Sequence, residues 1–199
     1  MKSIKERIKA YTSKKSKFGI ASDIVFVAIL IALLFPTSRN ELIVGVKKLL
    51  LFQPGLEKNI EELGEKDYNW SIQNLDGEII PFSEFQGKTI FLNTWATWCP
   101  HCIAEFPSIQ RLYDVYGKDI EFVILSNENP STVQAFLDKV GYDFPVYLTY
   151  DAMPVALESR SLPTTFIISP KGEILINKKG SAKWDGDKVK ALIDDLLSK

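Results

Sequence analysis

Cysteine and histidine are scarce in this chain: its 199 residues hold two cysteines and one histidine. That inventory cannot by itself fill the four positions of an ordinary Cys/His zinc site, which excludes such a centre built from this chain alone. No cysteine stands directly after the long apolar run at residues 18–35, so a lipoprotein anchor is excluded as well. The stretch Phe35-Pro36-Thr37-Ser38-Arg39 also lacks a good small-x-small cleavage site, which argues against a removed signal peptide of the same polarity. An excess of one charge sign is missing too, the net being −1.

That near-neutrality conceals an uneven distribution. Residues 1–20 carry seven basic residues against Glu6 alone, a net of +6, and the remainder is acidic. A basic tail suits a membrane surface or a nucleic acid, and the next segment of the chain favours the membrane. Residues 18–35 are almost wholly apolar and as a helix would extend about 27 Å, close to the thickness of a hydrocarbon core. Asp23 is the misfit and is tolerable near the headgroups. With the basic side retained in the cytoplasm, everything after Phe35 is expected outside it, in an extracytoplasmic (periplasmic) space. The expected organisation is a cytoplasmic tail at 1–17, a transmembrane anchor at 18–35, an amphipathic helix and solvated linker at 36–67, and a catalytic domain at 68–199. The helix expected over 41–52 is too short to span and could lie in the interface, dock on the domain or simply link.

What cysteine there is lies in one place. Trp95-Ala96-Thr97-Trp98-Cys99-Pro100-His101-Cys102 comes directly after the strand-like run Thr89-Ile90-Phe91-Leu92-Asn93-Thr94 and opens an apolar helix. Two cysteines three apart in that setting have the arrangement of a thioredoxin-like redox motif. Cys99 is placed at the helix N-terminus, where unpaired N–H groups and the helix dipole favour a thiolate, and Pro100 suits the first helical position. Cys102, one turn in, can close or resolve a disulfide, so Cys99 is the expected nucleophile. A purely structural disulfide is the plainer alternative, yet a bridge over two intervening residues restricts the unfolded chain little.

The remaining pattern alternates strands and helices. A hairpin is expected around Asp76-Gly77, a helix over 99–116 kinked by Pro107, a buried strand at 120–125 and a helix at 131–140 ended by Gly141. A strand at 144–148, a short helix at 153–159, a hairpin around Pro170-Lys171-Gly172 and a last helix to about 197 complete an α/β domain with a mixed sheet.

The active motif with Glu105-Phe106-Pro107, then Leu162-Pro163-Thr164-Thr165-Phe166 ahead of Pro170-Lys171-Gly172, resembles the membrane-anchored TlpA/ResA branch of the thioredoxin superfamily. The resemblance covers residues 68–197. It implies a thioredoxin-like fold with helices on both faces of the sheet, with 131–148 as the branch's inserted helix and strand. It further implies that Pro163 is a cis-proline beside the disulfide, leaving the Leu162 backbone free to pair with an extended substrate, and that Glu105 is the carboxylate serving proton transfer. Thioredoxin itself carries a buried aspartate six positions before the first cysteine; this chain has Asn93, which leaves Glu105 as the one nominated carboxylate. Trp98 is expected to shield the disulfide, while Trp95 and Trp184 read as packing. Pro100-His101 is the dipeptide of DsbA-type oxidants, in which thiolate stabilisation makes the disulfide more oxidising.

Together these residues point to an enzyme that exchanges the Cys99–Cys102 disulfide with protein thiols and disulfides. It would use no cofactor beyond that pair, a membrane redox partner for electrons, the lipid bilayer as anchor, and no nucleic acid. Reduction, as in cytochrome c maturation, is the expected direction. Oxidation of folding proteins, or a non-enzymatic redox sensor, is the alternative. A peroxiredoxin-type peroxidase fits less well, because its cysteine ordinarily lacks a CxxC partner.

Overall fold

The computed structural model describes residues 16–34, 43–45, 51–57 and 60–198. The chain forms two compact units, Met1–Ile43 and Val44–Lys199. Most of the basic tail and most of the segment 35–50 lie outside the described residues; of the helix expected over 41–52, residues 43–45 are helical and residues 51–52 are neither helix nor strand.

In the first unit, α1 (Lys17–Leu34) is an 18-residue helix with a run of exposed apolar side chains that includes Ile24, Val25, Phe26 and Ile31. Among the described residues no helix is long and apolar enough to cross a membrane.

The second unit is built on a sheet that, among the described residues, has eight strands in the order β1-β8-β7-β4-β5-β6-β2-β3. These are β1 (Glu61–Glu62), β2 (Ser71–Asn74), β3 (Ile79–Pro81), β4 (Ile90–Trp95), β5 (Glu121–Ser126), β6 (Val146–Thr149), β7 (Thr164–Ile168) and β8 (Glu173–Lys179). The helices are α2 (Pro100–Tyr116), α3 (Pro130–Val140) and α4 (Asp187–Leu197). β4, β5 and β6 run parallel, joined through α2 and α3, and the other pairings are antiparallel. The sheet is therefore mixed, as the sequence pattern predicts.

Strand periodicity divides the core in two. Along β4, Phe91 and Trp95 face one apolar cluster while Ile90 and Leu92 face the other, the alternation that a pleated strand imposes. The first cluster takes in Phe106, Ile109 and Leu112 of α2, Val133 of α3, and Val189 and Ile193 of α4. All three helices thus cover one face. The expectation of helices on both faces is corrected: the second face is covered by the 3-10 turns Glu65–Tyr68 and Phe82–Phe85, with Trp70 and Leu157. The helix expected at 153–159 is absent for a local reason. The segment makes only two isolated four-residue turns, Leu157 N–H to Pro154 C=O and Glu158 N–H to Val155 C=O, and no i→i+4 bond that would carry a helix on.

One further expectation changes. Within the stretch expected as a solvated linker, residues 60–67 are docked on the sheet: β1 pairs with Ile174 and Glu173 of β8, Leu63 is buried, and its N–H donates to the Gly172 carbonyl at 2.9 Å. The helix expected over 99–116 is present as α2, which runs through Pro107 to Tyr116. Gly141 does close α3, at φ 71°, a left-handed conformation that glycine adopts without a β-carbon clash.

Candidate active site

The site lies where β4 ends. Cys99 caps α2: its backbone is extended, Pro100 takes the first helical position, and the Cys102 N–H donates to Cys99 Sγ at 3.2 Å. A sulfur that accepts a helix-terminal N–H is placed to carry negative charge. Cys99 and Cys102 form a disulfide with Cα atoms 5.3 Å apart; Cys102 is fully buried and Cys99 4% exposed. Pro100 and His101 are half-buried on the first turn, and Trp98, just before it, is 68% exposed. The loop is tied down by Glu128, which lies just beyond β5. Its carboxylate accepts the Thr97 N–H at 2.6 Å and the Thr97 hydroxyl at 2.9 Å.

Glu105 lies on α2 one turn past Cys102 and is completely buried. One oxygen accepts from Asn93 Nδ2 at 2.8 Å; the other accepts from the Ala182 N–H at 3.0 Å and from Trp184 Nε1 at 2.9 Å. Burial pushes its pKa up to about 7, opposed by those three hydrogen bonds and by the charge of Lys178. The result is a carboxyl that changes protonation near neutrality inside the fold. Asn93 is itself held by Thr165 Oγ1 at 2.7 Å.

The Leu162–Pro163 peptide is cis. Thr164 of β7 pairs with Thr94 of β4, so the antiparallel register puts Pro163 opposite Trp95, where the cysteine loop departs. The Leu162 N–H and C=O make no hydrogen bond among the described residues. Beside Leu162 opens a cavity of about 530 Å3 whose lining includes Thr94, Asn127, Met153, Ser159 and Arg160. No group of three or more His, Cys, Asp or Glu among the described residues is placed to hold a metal.

The fold therefore gathers Trp98, Cys99, Pro100, His101, Cys102 and Glu105 on one loop and helix, with Leu162 and Pro163 on the neighbouring strand entry. Sequence reasoning missed Glu128, and it left Trp184 as packing although the indole N–H serves Glu105. Contacts between residues 79 and 31 positions apart leave no local signal in one sequence.

Comparison with known proteins fits this geometry. The AhpC/TSA family model matches residues 63–176. The thiol-disulfide oxidoreductase ResA of Halalkalibacterium halodurans is 36% identical over 122 residues, 60% of this chain and 69% of that protein. ResA of Bacillus thuringiensis subsp. konkukian is 30% identical over 148 residues, 69% of this chain and 78% of its own length. Among solved structures, a secreted Mycobacterium tuberculosis disulfide oxidoreductase homologous to E. coli DsbE superposes with a TM-score of 0.55 at 20% identity, covering 66% of this chain and 99% of that one. A thiol:disulfide interchange protein of the thioredoxin family from Chlorobium tepidum gives a TM-score of 0.53 at 22% identity, covering 73% and 96%. The structural matches show the thioredoxin-like fold, and the sequence matches show the chemistry. A capped, buried CxxC disulfide on that fold, in a chain this similar to ResA, places the protein in the AhpC/TSA family as a ResA-type thiol-disulfide oxidoreductase.

Proposed function

We propose that the enzyme is a membrane-anchored, extracytoplasmic reductase of protein disulfides, of the kind cytochrome c maturation needs. The observation that carries the reading is the Cys99–Cys102 pair at the start of α2 with a neutral-range carboxyl, Glu105, buried one turn further on. In the reduced enzyme the Cys99 thiolate attacks one sulfur of the client disulfide; the S–S bond breaks, and the client's other sulfur leaves as a thiolate. Cys102 then loses its proton to the Glu105 carboxylate and attacks Cys99 Sγ, expelling the second client thiolate. Two electrons have passed to the client, and the Cys99–Cys102 disulfide has formed. A membrane redox partner returns the electrons, and no cofactor other than the disulfide takes part. Trp98 offers an exposed contact surface, and the free Leu162 backbone can pair with an extended client.

Anchoring is supported by α1, which exposes Phe18 and the apolar side chains of residues 24–27 and 29–31, and by the basic residues ahead of it. The basic side belongs in the cytoplasm and Cys99 outside it. Protease added to spheroplasts then digests the C-terminal domain; a protected domain alongside a cleaved periplasmic control would reverse the assignment. Cys102→Ser is expected to accumulate mixed disulfides with clients and Cys99→Ser none.

One feature favours the opposite direction. Pro100-His101 on the first turn of α2 fits a more oxidising pair that donates disulfides to folding proteins. A reduction potential near about −270 mV, the thioredoxin value, supports the reductase, and one near about −120 mV, the DsbA value, the oxidant.

A further inference from the structure

Residues 51–57 form neither helix nor strand, yet they are fastened to the catalytic domain. The Lys183 N–H donates to the Phe52 carbonyl at 2.9 Å, and the Glu57 N–H donates to the Leu175 carbonyl at 2.9 Å. Pro54 is buried. Between these ties, the Gln53 side chain accepts the Lys188 N–H at 2.9 Å through Oε1. Lys188 is the second residue of α4, whose N-cap, Gly186, has no side chain to offer. Gln53 therefore supplies, from 135 positions away, the acceptor that an N-cap side chain ordinarily provides. Gly186 makes room for it: a β-carbon there would overlap Gln53 Cδ and Cγ.

The segment gripped from outside by residues 52 and 53 is the one that grips Glu105 from inside. Ala182 N–H and Trp184 Nε1–H, on either side of Lys183, both donate to Glu105 Oε2. The Trp184 N–H donates to Ser108 Oγ at 3.2 Å, which ties the same segment to α2. We propose that residues 52–57 act as a brace, with Gln53 as a positioning residue that holds the 182–188 segment so that Ala182 and Trp184 keep their hydrogen bonds to Glu105. The stretch expected as linker thus reaches the active site through two peptide units.

Loss of the brace has a definite direction. The donors at 182 and 184 favour the ionised carboxylate against burial, so loosening them raises the Glu105 pKa. Among the described residues the only charged side chain acting on it is Lys178, from β8. α2 contributes the Cys99–Cys102 pair, while β4 and β7 contribute the uncharged Asn93 and Thr165. The proposal rests on Glu105 being the proton relay only for its functional meaning, since the protonation itself can be tracked without turnover.

The test uses the full-length chain in detergent micelles. The carboxyl C=O stretch of Glu105, identified by its loss in Glu105→Gln, is titrated by difference infrared spectroscopy, and client-disulfide reduction is measured against pH. Gln53→Ala is expected to raise the infrared midpoint by about half a pH unit, a threefold change in the ionisation equilibrium. Gly186→Ala, which expels Gln53 sterically, is expected to raise it comparably, and the double variant no further than the larger single one. Midpoints unchanged in both single variants, with wild-type circular dichroism, would overturn the brace. If the midpoints move but Glu105→Gln leaves the pH–rate profile intact, the brace stands and the relay role of Glu105 falls.

Discussion

Asn93 stands where thioredoxin has an acid, and its value lies in having two ends. Its Nδ2 donates to the Glu105 carboxylate, while its Oδ1, buried, finds no hydrogen-bond partner in this arrangement. An amide turned over presents that oxygen to a protonated carboxyl, so one side chain serves both protonation states of Glu105. Asn93→Asp removes that option and sets two carboxyls within hydrogen-bond distance, where both cannot ionise. The variant is expected to lose on the order of 2–4 kcal/mol at pH 8 and to recover toward pH 5, read from denaturant midpoints. Glu105 has its own signature. Its folded pKa of about 7 lies above its ordinary value of 4.5, so the folded state is favoured while the carboxyl is neutral. That stability is complete below pH 4.5, is lost as pH rises through 7, and amounts to on the order of 3 kcal/mol. Glu105→Gln is expected to flatten this slope; an unchanged dependence of stability on pH between 4 and 8 would contradict it. The resemblance to the TlpA/ResA branch nominates this carboxyl in the sequence, whereas nothing nominates its partners. Asn93 is visible there only as a departure, and Trp184 looks like any buried aromatic.

Among elements, β4, α2 and β5 form the working unit. The sequence announces all three, because a continuous apolar run, a CxxC and a second apolar run each fix a local conformation. What it cannot announce is the hold of Glu128 on Thr97. Residues 95 and 126 are register partners of the parallel pair, so the loops leaving β4 and β5 emerge side by side. Glu128→Ala removes two hydrogen bonds to a partly buried carboxylate and is expected to cost about 1–2 kcal/mol, with Glu128→Gln costing less. Faster hydrogen exchange at the Thr97 amide is the accompanying sign; unchanged protection there would show that the tie carries no weight. At 60–67 and 153–159, where structure and sequence pattern part, charge and short apolar stretches hide the tertiary pairing. Two residues of edge strand are too few to leave a periodic trace, and seven residues are too few for helix-like composition to decide between a helix and a pair of turns.

At the scale of the whole domain, both sheet edges are closed. β1 is two residues long and exposes Glu61 and Glu62, while β3 ends in Pro81. Short, charged or proline-bearing edges discourage pairing with foreign strands. Glu61→Val combined with Glu62→Val is expected to leave the melting temperature nearly unchanged while promoting association at tens of micromolar, detected by light scattering; a variant that stays monomeric would show the edge is guarded otherwise. With those borders guarded, the Leu162 N–H and C=O, which make no hydrogen bond among the described residues, are the proposed docking point for extended backbone beside the cysteines. One residue of ladder is too little to retain a client once its bond to sulfur is gone. On that reading dwell time on the enzyme is set by covalent chemistry, and a finished client departs because one residue of ladder and the Trp98 surface hold it only weakly.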